Sequence, residues 1–469
     1  MVGELGTHDV GELLNFTGFA GVSITRSVIE TAGEPVSCCA VVVPEDLPYL
    51  IHESTAACLA FNVGASISNS LDYRGATVTI NAQPPLSATN EGDPAPQRLG
   101  KVGIAEWHEG LLVDVGFSGS SCTIPDNRTL FVAHEPWTNT FWHDFHNGFM
   151  RTFGTLYELD DPSLLQCDDS WPEACRVNTT KVIIAYWVTS IGDHSAGPTL
   201  LGLLPHLADE IITEPDPSHC FARVVAGQAT ALDLNAGIRF TVKSTKVLSY
   251  FSRWYYYVAT GEPLEPALGV EGAKTPGSRS GLTELDLERL AEPRTEHHVL
   301  IISRQHAANG RRWGPGVKEA MMTWLESSGV SVEAVDFAAV SVKDIAAAVR
   351  RATVIIGVSG AGMINMMFAR PDTVLIYIYP ERVFAHNDPL NSSGIYITLA
   401  RMRGCQVVVV HEYTAGSDTD NYLPLPIAAS FFKIGFTLGL GGRFPPPTLA
   451  PVPSVWDGPS ADEYKYTIM

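Results

Sequence analysis

A chain of 469 residues, 45% of them hydrophobic, can fill large cores and is longer than one typical domain, so two domains are expected. Its 51 acidic against 31 basic side chains give a formal charge of -20, which would repel a phosphate polymer and excludes nucleic acid as an expected partner. No run of about 18 uncharged apolar residues occurs, and the opening MVGELGTHDVGELLNF lacks the basic-then-apolar pattern of a secretory leader, so no membrane segment is expected in the chain as given.

In chain order, residues 1–260 read as an α/β domain of low regularity, with strand-like pieces GLLVDVGF, RTLFVAHE and KVIIAYW between polar, proline-bearing loops. The stretch EPWTNTFWHDFHNGFMRTFGTLYEL predicts a helix whose Phe141, Phe145, Phe149 and Phe153 share a core face. On a separate stripe, Asn139, His143, His146, Asn147 and Met150 recur at i, i+4, i+7, i+8 and i+11. Seven of eight cysteines lie in the first half, none in a zinc-like C-x-x-C pair, and Cys167 and Cys175 bracket a loop short enough to close with a disulfide. Asn-x-Ser/Thr sequons begin at Asn15, Asn127, Asn178 and Asn391. Cysteines and sequons together lean towards the lumen of the secretory pathway.

Residues 261–296 are rich in Gly, Pro, Ser and charge, as suits a linker. Residues 297–423 then alternate regularly. VLIIS, VSVEAVDF, TVIIGV, TVLIYIY and QVVVVHEY predict buried strands, and PGVKEAMMTWLESSG, SVKDIAAAVRR, GAGMINMMFA and SGIYITLARMRG predict the helices between them. Ser341 and Asp344 are spaced as a capping box, and Val317, Ala320, Met321, Trp324 and Leu325 fall on one helical face. A crossover helix over 424–442 and a loose tail over 443–469 are expected to complete the chain.

Ligands of an open parallel sheet bind beyond the carboxyl ends of its strands. GVSGAGMIN sits at such an end, where the small residues Gly360, Ala361 and Gly362 beside Ser359 let an anion approach backbone N–H groups at a helix start. LIISRQHAANGRRW places Ser303 and Arg304 at the end of another strand, with Arg311 and Arg312 in the loop beyond. Arginine forks match phosphate oxygens, so these residues are the candidate diphosphate site. No G-x-G-x-x-G follows the first strand, which argues against a dinucleotide oxidoreductase.

Across residues 299–380 these motifs, in this order and spacing, resemble glycosyltransferase family 61, which includes O-linked N-acetylglucosaminyltransferases and plant β-1,2-xylosyltransferases. The resemblance implies a glycosyltransferase-B-like α/β fold, two Rossmann-like domains facing a cleft, with a UDP-sugar held mainly by the second domain and inversion at the anomeric carbon. It carries the donor-phosphate contacts onto Ser303, Arg304, Arg311 or Arg312, the 359–362 turn and Asn365, with Ser359 standing where the family has histidine. It turns the Asn139, His143, His146 and Asn147 stripe towards the acceptor, although Trp142 here holds the third position after Asn139. An inverting transfer needs a base at the acceptor hydroxyl, for which His143 is the first candidate and Asp144 the second. Transfer of N-acetylglucosamine or xylose to a glycan or glycoprotein hydroxyl, with no metal or other cofactor required, is the expected activity. The alternative is a degenerate relative that binds a nucleotide or glycan without turnover.

Overall fold

The computed structural model describes residues 126–135, 144–188, 203–212, 221–227, 232, 242–264, 294–304, 312–380, 394–412, 423–452 and 466–468, and before residue 126 eight strands only. The chain divides into two compact units, residues 1–233 with 241–243, and residues 234–240 with 244–469.

In the first unit four strands run parallel: β1 (Asp126–Glu135), β2 (Val182–Val188), β3 (Glu210–Ile212) and β4 (Phe221–Gly227), in the order β4-β1-β2-β3. All three strand-like pieces named from the sequence are strands. The eight earlier strands, Ile24–Arg26 to Leu111–Phe117, extend this sheet from the β4 edge through a mixture of antiparallel and parallel pairs. The unit is therefore richer in β-structure than a regular doubly wound domain.

Helix α1 (Arg151–Glu158) is entered through a wider π-helical turn, Asp144–Met150. Phe145, Phe149 and Phe153 are buried on it, as their spacing predicts, and the Phe145 and Phe149 rings lie 5.6 Å apart. Beyond α1, Leu165–Cys167 and Cys175–Val177 form an antiparallel hairpin closed by a Cys167–Cys175 disulfide between directly paired residues.

The second unit holds a six-stranded sheet: β5 (His298–Ser303), β6 (Ser331–Asp336), β7 (Val354–Val358), β8 (Val374–Pro380), β9 (Gln406–Glu412) and β10 (Tyr466–Ile468). Its order is β6-β5-β7-β8-β9-β10, parallel except for β10. The central strands are apolar along their whole length because both faces are covered.

Helix α2 (Val242–Thr260), counted with the first domain in a sequence split at 260, falls almost entirely in this second unit. Its Tyr255 ring stacks on Phe368 at 6.3 Å, and Tyr256 meets the same ring edge-on. Helix α3 (Val317–Ser327) buries Met321, Trp324 and Leu325, while Ala320 of the expected face is exposed. Helix α4 (Val342–Arg351) starts as its sequence predicts, with Asp344 N–H donating to Ser341 Oγ at 3.2 Å. Arg294 caps its other end by donating to the Arg350 and Ala352 carbonyls, and pairs with Asp372. Helix α5 (Gly394–Met402) follows β8.

Helix α6 (Leu425–Leu438) lies in the one stretch among the described residues, Leu425–Gly442, long and apolar enough to cross a membrane by composition. Here its Ile427, Phe431, Phe432 and Phe436 fill the core against β7 and β8, each large apolar side chain contributing about 1.5–3 kcal/mol. The tail expected to be loose is tied to this core. Trp324 Nε1 donates to the Ala450 carbonyl at 3.0 Å, Ala450 N–H donates to Ser328 Oγ at 2.9 Å, and Tyr466–Ile468 adds the antiparallel edge strand. Prolines remove backbone donors, and the indole of α3 and the hydroxyl of Ser328 just beyond it supply partners that a strand would otherwise provide.

Candidate functional site

The strand order β6-β5-β7-β8-β9 reverses direction between β5 and β7, which are hydrogen-bonded neighbours. At such a switch point the loops leaving the two strands diverge and open a crevice at their carboxyl ends. Ser303 and Arg304 leave β5 there, and Ser359 and Gly360 leave β7. The two candidate motifs, over fifty residues apart in sequence, are thus brought together.

Arg304 bridges them, its Nη1 donating to the Ser359 carbonyl at 2.9 Å. Its guanidinium lies so closely over Gly360 that a Cβ at that position would collide with it. Gly360 is extended, so the glycine is needed for close approach and not for an unusual backbone angle. Ser303 is 4% exposed, and its Oγ has no hydrogen-bond partner among the described residues. An unpaired buried hydroxyl costs about 1–3 kcal/mol, and one at a strand end beside an arginine suits a bound ligand oxygen. Trp313 Nε1 donates to the Ile302 carbonyl at 3.0 Å, which ties the far end of the arginine loop back to β5.

The turn after β7 is a tight 3-10 helix over Ala361–Phe368 rather than the α-helix its sequence suggests. Met363, Ile364, Met366, Met367 and Phe368 are all buried on it, and a Cβ at Gly357 would overlap Met363. This close seating on the sheet fixes where the Gly360–Gly362 N–H groups begin. Ala361 and Gly362 are half-buried at the opening, and the Asn365 amide donates to the Gly362 carbonyl at 3.0 Å, bracing the turn. Ser359 is buried, its N–H donates to the Ile378 carbonyl at 2.9 Å, and its Oγ accepts from the Tyr377 hydroxyl at 2.7 Å. Arg312 is exposed, and Arg311 lies outside the described residues.

On the first unit, Asn139 and His143 lie outside the described residues, and of Asp144 and Asn147 only the backbone is described, in the π-helical turn. His146, expected at the acceptor cleft, is fully buried, with Nε2 3.1 Å from the Leu232 carbonyl. That contact is a hydrogen bond donated by the ring, and it places His146 in the core. The cause is the wider turn: a stripe counted at 3.6 residues per turn shifts where the backbone takes on extra residues per turn, and His146 rotates in beside Phe145 and Phe149.

Two residues that matter here escaped the sequence reading. Trp313 could have been suspected as a lone large aromatic in the glycine- and arginine-rich loop RRWGPG. Tyr377 is a hydroxyl-bearing ring in the otherwise aliphatic centre of β8.

The family model of Glycosyltransferase 61 matches residues 130–376, more than half of the chain. The match begins in β1 of the first unit, well before the 299–380 window where the motifs are legible, takes in Arg304 and the 359–362 turn, and ends in β8 one residue before Tyr377. None of the curated proteins matches the chain. With the strand-end arginine and the glycine turn joined at the switch point of its second sheet, the chain belongs to glycosyltransferase family 61.

Proposed function

We propose that this protein is an inverting glycosyltransferase that moves N-acetylglucosamine or xylose from a UDP-sugar to a hydroxyl of a glycan or glycoprotein. The observation that carries the reading is the bridge from Arg304 to the Ser359 carbonyl across the switch point, with the buried Ser303 hydroxyl beside it. Family membership supports the transferase class and, within this reading, a glycosyltransferase-B arrangement in which the two units face a cleft.

In the proposed step the acceptor hydroxyl loses its proton to His143, with Asp144 the second candidate, as its oxygen attacks the anomeric carbon. The bond from that carbon to the diphosphate breaks, and its electron pair leaves with UDP. Arg304, Arg311 or Arg312, and the N–H groups from Gly360 onward meet the negative charge that develops on the departing phosphate. These fixed positive groups perform the charge stabilisation in this reading without a metal or other cofactor. The secretory lumen is the proposed compartment. The Cys167–Cys175 disulfide and the exposed sequon residues Asn127 and Asn178 support it.

The second reading is a nucleotide- or glycan-binding relative without turnover, favoured by Ser359 where the family has histidine and by the burial of His146. Screening UDP-sugars for hydrolysis and for transfer to glycan acceptors separates the two. Turnover with UDP-N-acetylglucosamine or UDP-xylose is the expected result. Tight UDP binding with no turnover on any donor would establish the second reading instead.

A further inference from the structure

We propose that Tyr377 is a positioning residue of the donor site, acting through Ser359: its hydroxyl sets the Ser359 proton towards the ligand's phosphate. The proposal rests on the nucleotide-sugar reading above and extends it to a residue outside the glycine turn.

Consider what Ser359 still has to offer. Its N–H is donated to the Ile378 carbonyl and its own carbonyl accepts from Arg304. Its Oγ accepts the Tyr377 proton at 2.7 Å, within a pair that is almost fully buried. A serine hydroxyl has one proton and two lone pairs. Once a lone pair is filled by the phenol, the serine proton cannot point back at Tyr377. What remains is a single O–H donor at the strand end, one residue from the Gly360 over which the Arg304 guanidinium lies. Two donors, one of them cationic, then converge on an acceptor-only, anionic atom, as a phosphate oxygen is. The pair gives a neutral means of orienting a donor where the family has an imidazole.

The Tyr377 ring does not depend on its hydroxyl for its place. It sits on β8 in register with Gly357 of β7, between Tyr379 and Tyr396 with ring centroids 6.4 Å and 6.2 Å away. Tyr377→Phe therefore removes the hydroxyl and keeps the packing.

The test is a double-mutant cycle on UDP affinity by calorimetry, with kcat and KM for UDP-sugar turnover, in the full chain: wild type, Tyr377→Phe, Ser359→Ala and the double variant. We expect Tyr377→Phe to weaken UDP binding about 5-fold and Ser359→Ala about 10-fold, with the double variant no weaker than Ser359→Ala alone. Ser359→Cys, nearly isosteric but a poorer donor, should give an intermediate loss whether or not Tyr377→Phe folds. Equal effects of Tyr377→Phe with and without Ser359, a fall in melting temperature alone, or full affinity in Ser359→Cys would each overturn the proposal. A wild type that binds none of UDP, ADP, GDP and CDP would instead overturn the nucleotide reading itself, and the positioning role with it.

Discussion

At Gly360 the requirement is for space, and it is set by Arg304 rather than by the backbone. A methyl group there can be accommodated only if the guanidinium, the far end of a flexible side chain, moves off. Gly360→Ala should therefore change the melting temperature by no more than a degree or two, yet weaken UDP binding about as much as Arg304→Ala does. Calorimetry beside thermal denaturation checks this, and a large stability loss with normal affinity would refute it. In the proposed reaction Arg304 meets charge that grows as the leaving group departs, an interaction worth roughly 2–4 kcal/mol, so Arg304→Ala should lower turnover about 30- to 1000-fold. Arg351 is the matched control. It pairs with Glu333 at 2.6 Å before the start of β7, roughly 16 Å of strand away from Ser359, and Arg351→Ala should leave turnover within about twofold of wild type.

Among the elements, the hairpin Leu165–Cys167 and Cys175–Val177 is closed by a disulfide. Closing eight residues removes unfolded-chain entropy equivalent to about 2.5 kcal/mol, so the Cys167→Ala, Cys175→Ala pair should lower the unfolding free energy by about that amount in a denaturant titration. Next to it, Asn178 is exposed and its Oδ1 accepts from the hydroxyl of Thr180, the sequon's own threonine, at 2.8 Å. Protein made through the secretory pathway should carry a glycan there, seen as deamidation of Asn178 after enzymatic deglycosylation. In the second sheet Glu333 gives a pH dependence whose sign follows from its partners. Burial alone would raise its carboxyl, but hydrogen bonds from Arg351 and His298 outweigh that and hold it below the usual range. A folded-state pKa below the unfolded value gives stability that is present above about pH 4.3 and lost as pH falls further through the folded value. Glu333→Gln should flatten the fall in melting temperature over that acid range, and an unchanged slope would assign it to other carboxylates.

For the whole molecule the central prediction is that arginines and a helix start serve where many transferases of other families use a divalent ion. UDP-sugar turnover should survive a strong chelator and gain nothing from added manganese, and loss with restoration by manganese would place the leaving-group charge on a metal. Much of the second unit was legible in sequence because its elements are short, periodic and locally closed. Short runs rich in β-branched and aromatic residues, such as VLII and VLIYIY, read as buried strands, and Ser341 to Asp344 caps its helix within one turn. The wider turn before Arg151 was not legible, because the choice between 3.6 and more residues per turn is made by what packs around Phe145 and Phe149. Nor was the tail, whose proline-rich run has no strong local preference until Trp324 and Ser328 offer it hydrogen bonds. By itself the sequence determined the alternating strands and helices of residues 297–423, the motifs at two strand ends and the family they resemble, all properties of neighbouring residues. Only the tertiary structure decided that β5 and β7 lie side by side, because strand order depends on which faces the connecting helices cover. From that order alone follow the meeting of Arg304 with Ser359 and Gly360, and the hydroxyl pair with Tyr377 behind them.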